Sequence, residues 1–113
     1  MPELFLAQRL RRLPVATVLG EEVRVARGPR ARFLGLAHLD REQAGAGLLI
    51  PRCSSVHTFG MRFSLDLYFL GGGGEVVAVR RGMSARRFAI CRHARAVLEV
   101  PAGEGGEILV AVA

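Results

Sequence analysis

Four side chains of the 113-residue chain form a first candidate constellation of metal ligands or nucleophiles: Cys53, His57, Cys91 and His93. They fall as Cys-x-x-x-His and Cys-x-His. Zinc accepts two thiolates and two imidazoles as a tetrahedron. On a strand, Cys91 and His93 would share a face, because side chains alternate. The spacing is not that of a recognised zinc finger, however, and cysteine is by type a small, buried, apolar residue. The first reading of Cys53 and Cys91 is therefore two ordinary thiols. No cofactor is expected, and zinc is held as an alternative. Two further readings stay open. A Cys53–Cys91 disulfide would close a loop of roughly 39 residues and remove about 4 kcal/mol of unfolded-state entropy, given an oxidising compartment. Alternatively, Cys53 could act as a nucleophile if His57 stood close enough to hold a thiolate, with Asp66 orienting the imidazole.

Asp66 and Glu99 each interrupt an apolar run. Two carboxylates can serve as acid and base. More often a strand carboxylate pairs with arginine or accepts from exposed backbone, and Arg62 and Arg95 stand nearby in sequence. Alternation places Asp66 with Tyr68 and Glu99 with Val97. Residues 53–62 set a thiol, two serines, a threonine, an imidazole and an arginine between two apolar runs. Binding groups concentrate on loops held by rigid neighbours. The expectation is a polar cleft lined by this loop and Asp66, with His57 and Arg62 facing a small polar or anionic ligand. The competing reading has His57 bonded to backbone, sealing the end of the sheet.

The composition narrows the partners. All sixteen basic residues are arginine, and the net charge is +6. They come as scattered doublets (11–12, 80–81 and 86–87) rather than as a basic tail, so nucleic acid is not expected. Neither Gly71-Gly72-Gly73-Gly74 nor the glycines of 103–106 carry the Gly-Lys-Ser/Thr ending of a phosphate loop. No apolar run reaches the roughly 18–20 residues of a membrane helix. Residues 1–14 place apolar residues before arginines, the reverse of an export signal, so a cytoplasmic location is expected. Leu4, Phe5, Leu6, Leu10 and Leu13 suit an amphipathic N-terminal extension packed on the domain. Half the residues are hydrophobic and the mean hydropathy is +0.29, which excludes a wholly disordered chain.

The elements that must position these residues are short. Residues 15–19 and 23–26 read as a hairpin, and 30–38, after Gly28-Pro29, as a helix. Residues 40–47 read as a loop, 47–51 as a buried strand and 53–60 as irregular. Residues 65–70 and 75–80 alternate and flank the four glycines, which predicts an antiparallel hairpin with Leu65, Leu67 and Phe69 in the core. Further strands are expected at 88–91, 94–100 and 107–112. The fold class is α+β and β-rich. It is expected as one domain: a single antiparallel curled sheet or a small partly open barrel with one or two short helices.

Four stretches, in order, carry a resemblance. They are Arg32-Phe33-Leu34-Gly35-Leu36; Gly47-Leu48-Leu49-Ile50-Pro51; Phe59-Gly60-Met61-Arg62-Phe63-Ser64-Leu65-Asp66-Leu67; and Ala94-Arg95-Ala96-Val97-Leu98-Glu99-Val100-Pro101-Ala102-Gly103. Together they resemble the uncharacterised prokaryotic proteins grouped as domain of unknown function 192, with a core at 22–103. Ser64 departs from a proline common in that family, and the family's helix and turn after Gly103 are replaced by an expected strand. The resemblance implies a fold and no chemistry. Function is thus expected to be that of a small non-enzymatic binding or accessory domain, with a protein or small-molecule partner. A thiol- or metal-dependent enzyme centred on Cys53 and His57 is the alternative.

Overall fold

The structure, a computed structural model, describes residues 5–103. A short helix α1 (Gln8–Arg11) opens onto a hairpin of β1 (Val15–Val18) and β2 (Glu21–Val25). Helix α2 (Pro29–Leu34) and a 3-10 turn at Arg41–Gln43 lead to β3 (Leu48–Pro51) and β4 (Ser55–His57). Then come β5 (Leu65–Leu70), β6 (Val76–Met83), β7 (Phe88–Ile90) and β8 (Ala96–Pro101). The expected strand at 107–112 lies outside the described residues.

Six strands form one sheet in the order β1-β2-β3-β8-β5-β6, and β4 with β7 forms a second, two-stranded sheet. This corrects the expected single antiparallel sheet. The sheet is mixed, because β2 and β3 run parallel, with Arg24 opposite Leu48 and Val25 opposite Leu49. A parallel neighbour needs a crossover, and the crossover is the segment bearing α2 and the 3-10 turn. The sheet does not close either, since β1 and β6 are its two ends.

The predicted hairpins form. β5 and β6 pair antiparallel across the glycines, and the turn is held by Gly71 N to Glu75 O (2.8 Å) and Gly74 N to Gly71 O (3.0 Å). Gly74 has φ +85°, a conformation that costs glycine nothing. The expected helix at 30–38 is shorter. Gly35, at φ 54° and ψ −129°, ends α2 and turns Leu36 and Ala37 into the core. The loop at 40–47 contains the 3-10 turn, which Asp40 and Gln43 close with a reciprocal capping box. The stretch at 53–60, expected as irregular, contains β4.

Alternation divides the large sheet into two faces. Leu48, Ile50, Leu65, Leu67, Phe69 and Val97 turn into the main core. Leu6, Ala7 and Leu10 cover that core from the N-terminal segment, and Val56 and Ala89 cover it from the small sheet. The other face carries a smaller cluster of Val23, Leu70 and Leu98. Thr58 joins the layers. It is fully buried; its Oγ1 donates to Ser84 O (2.7 Å) and accepts from Arg87 N (2.8 Å). The turn between β6 and β7 is thereby fixed against the end of β4.

Candidate functional site

A cleft of about 530 Å³ opens where α2 passes over the β3–β4 connection. Its walls include Arg32 and Phe33 from α2, Cys53, Ser54 and Ser55 from the connection, and His57 from β4; Glu99 of β8 lines it from the core. Local geometry explains each placement. Arg32 is the helix residue facing β3, and its guanidinium donates to the carbonyls of Pro51 and Arg52. It is thus a brace between α2 and the connection.

Glu99 is the unusual group. It is only 3% exposed and stands opposite Leu48 on one side and Leu67 on the other. Its Oε1 accepts from Leu36 N at 3.2 Å, a partner 63 residues away. Gly35 lets that contact form. A Cβ at Gly35 would lie 2.6 Å from Glu99 Oε1, closer than any real contact. Burial raises the Glu99 pKa from 4.5 to about 7, against the opposing effect of the Leu36 amide. Near neutral pH a carboxylic acid and a carboxylate therefore coexist at the inner wall. Two of the four stretches that carry the resemblance, the one at 32–36 and the one at 94–103, meet in this contact.

His57 sits in an aromatic setting. Its ring centroid lies 5.0 Å from that of Phe33, 5.8 Å from that of Phe59 and 6.5 Å from that of Phe88, its cross-strand partner. Phe59 N donates to Nδ1 at 3.2 Å. That bond needs a lone pair on Nδ1, so the neutral ring carries its proton on Nε2. Nε2 is buried and has no hydrogen-bond partner among the described residues. A buried donor without an acceptor costs about 1–3 kcal/mol. Phe33, Phe59 and Phe88 are themselves exposed, as is Ile90.

The other expected site residues are placed elsewhere. Arg62 is exposed and paired with Asp40 (3.1 Å). Asp66 is buried, and its Oδ1 accepts from Gly82 N (2.8 Å) at the bulge where β6 slips against β5. Neither lines the cleft with His57; Arg32 and Glu99 stand where they were expected. Cys53 and Cys91 are free thiols. Cys53 Sγ donates to Ser55 O at 3.0 Å, and Cys91 N donates to Ser54 O at 2.8 Å. His93 lines a separate open depression, which Cys53 also borders. Among the described residues, no three His, Cys, Asp or Glu side chains gather as a metal would require. Glu99 was visible in sequence as a strand carboxylate, but its partner at Leu36 was not, because nothing local marks a contact across 63 residues.

The fold and this geometry can be set beside known proteins. The chain matches the family described as an uncharacterized ACR, domain of unknown function 192, over residues 15–112. It belongs to that family. No curated protein matches it. Among solved structures, the fold is similar to that of a Sinorhizobium meliloti protein described as a candidate transcription regulator. That likeness has a TM-score of 0.65 and 21% identity, over 79% of this chain and 78% of that one. It is also similar to a Novosphingobium aromaticivorans protein of unknown function, with a TM-score of 0.57 and 18% identity, over 80% and 73% of the two chains. At these identities the likeness is one of fold. The chain is thus a β-rich member of a family without an assigned activity. No helix among its described residues is long and apolar enough to cross a membrane.

Proposed function

We propose that the protein is a small non-enzymatic binding domain, and that the cleft between α2 and the β3–β4 connection receives a small planar ligand rich in hydrogen-bond acceptors. The observation that carries this reading is the His57 imidazole, which lines the cleft and whose Nε2–H, just beneath its surface, has no acceptor among the described residues. Buried donors are normally satisfied, and a ligand oxygen would satisfy this one. Glu99 adds a second donor whenever it is protonated, which its raised pKa favours up to about pH 7. Exposed phenylalanine rings around His57 suit a flat apolar body. The roles first assigned to Arg62 and Asp66 fall in this reading to Arg32 and Glu99, while His57 keeps its own.

The enzymatic alternative has less support. The Cys53 thiol is engaged by the Ser55 carbonyl, and a nucleophile needs a base at the sulfur. The description of the Sinorhizobium meliloti protein as a regulator carries no residue onto this chain, because that likeness rests on fold.

Benzoate is a suitable probe, since it joins a flat ring to a carboxylate. Calorimetry should show saturable binding that His57→Ala abolishes, with stability changed by no more than about 1 kcal/mol. Binding that survives His57→Ala unchanged would place the ligand elsewhere, and no binding of benzoate or benzamide would remove the reading.

A further inference from the structure

A second cleft, of about 400 Å³, lies on the other side of α2, between that helix and α1. Four arginines line it: Arg9, Arg12, Arg27 and Arg30. Leu10 and Leu34 are among its apolar lining, and among the described residues it has no acidic side chain. Arginine clusters on protein surfaces are usually interleaved with carboxylates, because like charges in one concavity repel. Among the described residues that compensation is missing. No hydrogen bond or ion pair among the described residues involves the guanidinium of Arg12, Arg27 or Arg30. Arg9 is committed: its guanidinium donates to Gly35 O (3.0 Å) and Ala37 O (2.6 Å), which fixes one cation at the wall. Burial, and then the charge of Arg30, lowers the Arg9 pKa.

We infer that this cleft binds a phosphate monoester bearing an apolar tail. A dianion answers several uncompensated guanidiniums at once, and arginine's planar fork matches phosphate oxygens in pairs. Leu10 and Leu34 offer the tail a surface that a bare ion would not use. The site is separate from the His57 cleft, and either can fail without the other.

Hexyl phosphate and inorganic phosphate are the probes, titrated calorimetrically into the full chain at low ionic strength, where charge pairing is least screened. Hexyl phosphate should bind saturably and about tenfold or more tighter than inorganic phosphate, the tail supplying the difference. R27Q/R30Q should weaken it by about tenfold or more, whereas R86Q/R87Q, an equal loss of charge outside the cleft, should leave it nearly unchanged. Both pairs are exposed, so both variants should fold, and thermal unfolding checks this. Vesicles containing phosphatidate form a second arm. Co-sedimentation that R27Q/R30Q removes identifies a lipid phosphate as the source. Hexyl phosphate binding without co-sedimentation identifies a soluble ester. The inference is overturned if hexyl phosphate does not bind saturably, whether or not a DNA duplex does. It is equally overturned if the two double variants weaken binding alike, since net charge alone would then account for it.

Discussion

Glu99 concentrates the physical chemistry of this chain in one side chain. It is a carboxyl among leucines, held by one backbone amide and raised to a pKa of about 7. The sign of the consequence follows from linkage. Between pH 4.5 and 7 the folded state keeps a proton that the unfolded chain releases. The stabilising contribution is complete below pH 4.5 and is lost as pH rises through about 7. The loss is at most roughly 3 kcal/mol. Glu99→Gln should therefore flatten the stability profile between pH 5 and 8 measured by urea unfolding. A variant that keeps the wild-type slope would assign the dependence to another group. Gly35→Ala tests the same contact from the backbone side. Its Cβ would meet Oε1 at 2.6 Å, and φ +54° with ψ −129° strains any L side chain. A loss of about 2–4 kcal/mol is expected, read from the unfolding midpoint. The residue scale was partly legible in sequence. Glu99 was visible as a strand carboxylate and His57 as a site candidate, whereas Arg32 as a brace was not, since only the fold brings α2 against Pro51 and Arg52.

At the scale of elements, the hairpin across Gly71-Gly72-Gly73-Gly74 was readable because alternation and turn chemistry are both local. Phe69 is 1% exposed on the predicted face. Phe69→Ala should cost about 3–5 kcal/mol in chemical denaturation, and a change below 1 kcal/mol would contradict its place in the core. The bulge in the same hairpin was not readable. The register slips between Leu65 and Leu67, Gly82 takes φ +66°, and Asp66 turns inward to accept its amide. Asp66 is therefore a structural acceptor. Asp66→Ala should destabilise the fold by about 1–3 kcal/mol by stranding that amide, while leaving the affinity of the His57 cleft unchanged in calorimetry. The strand β4 was missed because three residues, Ser55, Val56 and His57, are too short to show a period.

For the whole molecule, the β-rich class and the hairpins followed from sequence, and the mixed topology did not. The parallel pairing of β2 with β3 is a choice between partners far apart in the chain, made by how α2 and the 3-10 turn pack, and short runs of valine and leucine do not encode it. That crossover has a functional consequence. It carries α2 across the sheet, so one helix separates the His57 cleft from the arginine cleft. Its turn at 35–37 is gripped from both sides, by Arg9 on the carbonyls of Gly35 and Ala37 and by Glu99 on the amide of Leu36. In the proposed cleft, His57 offers a buried donor to a ligand. Imidazole ¹⁵N NMR at about pH 8, where histidine is ordinarily neutral, tests it most directly. The expected result is the Nε2–H tautomer in the free protein, and a shift of Nε2, with Nδ1 little changed, as benzoate saturates the cleft. An Nδ1–H tautomer, or ring nitrogens indifferent to benzoate that binds, would contradict it.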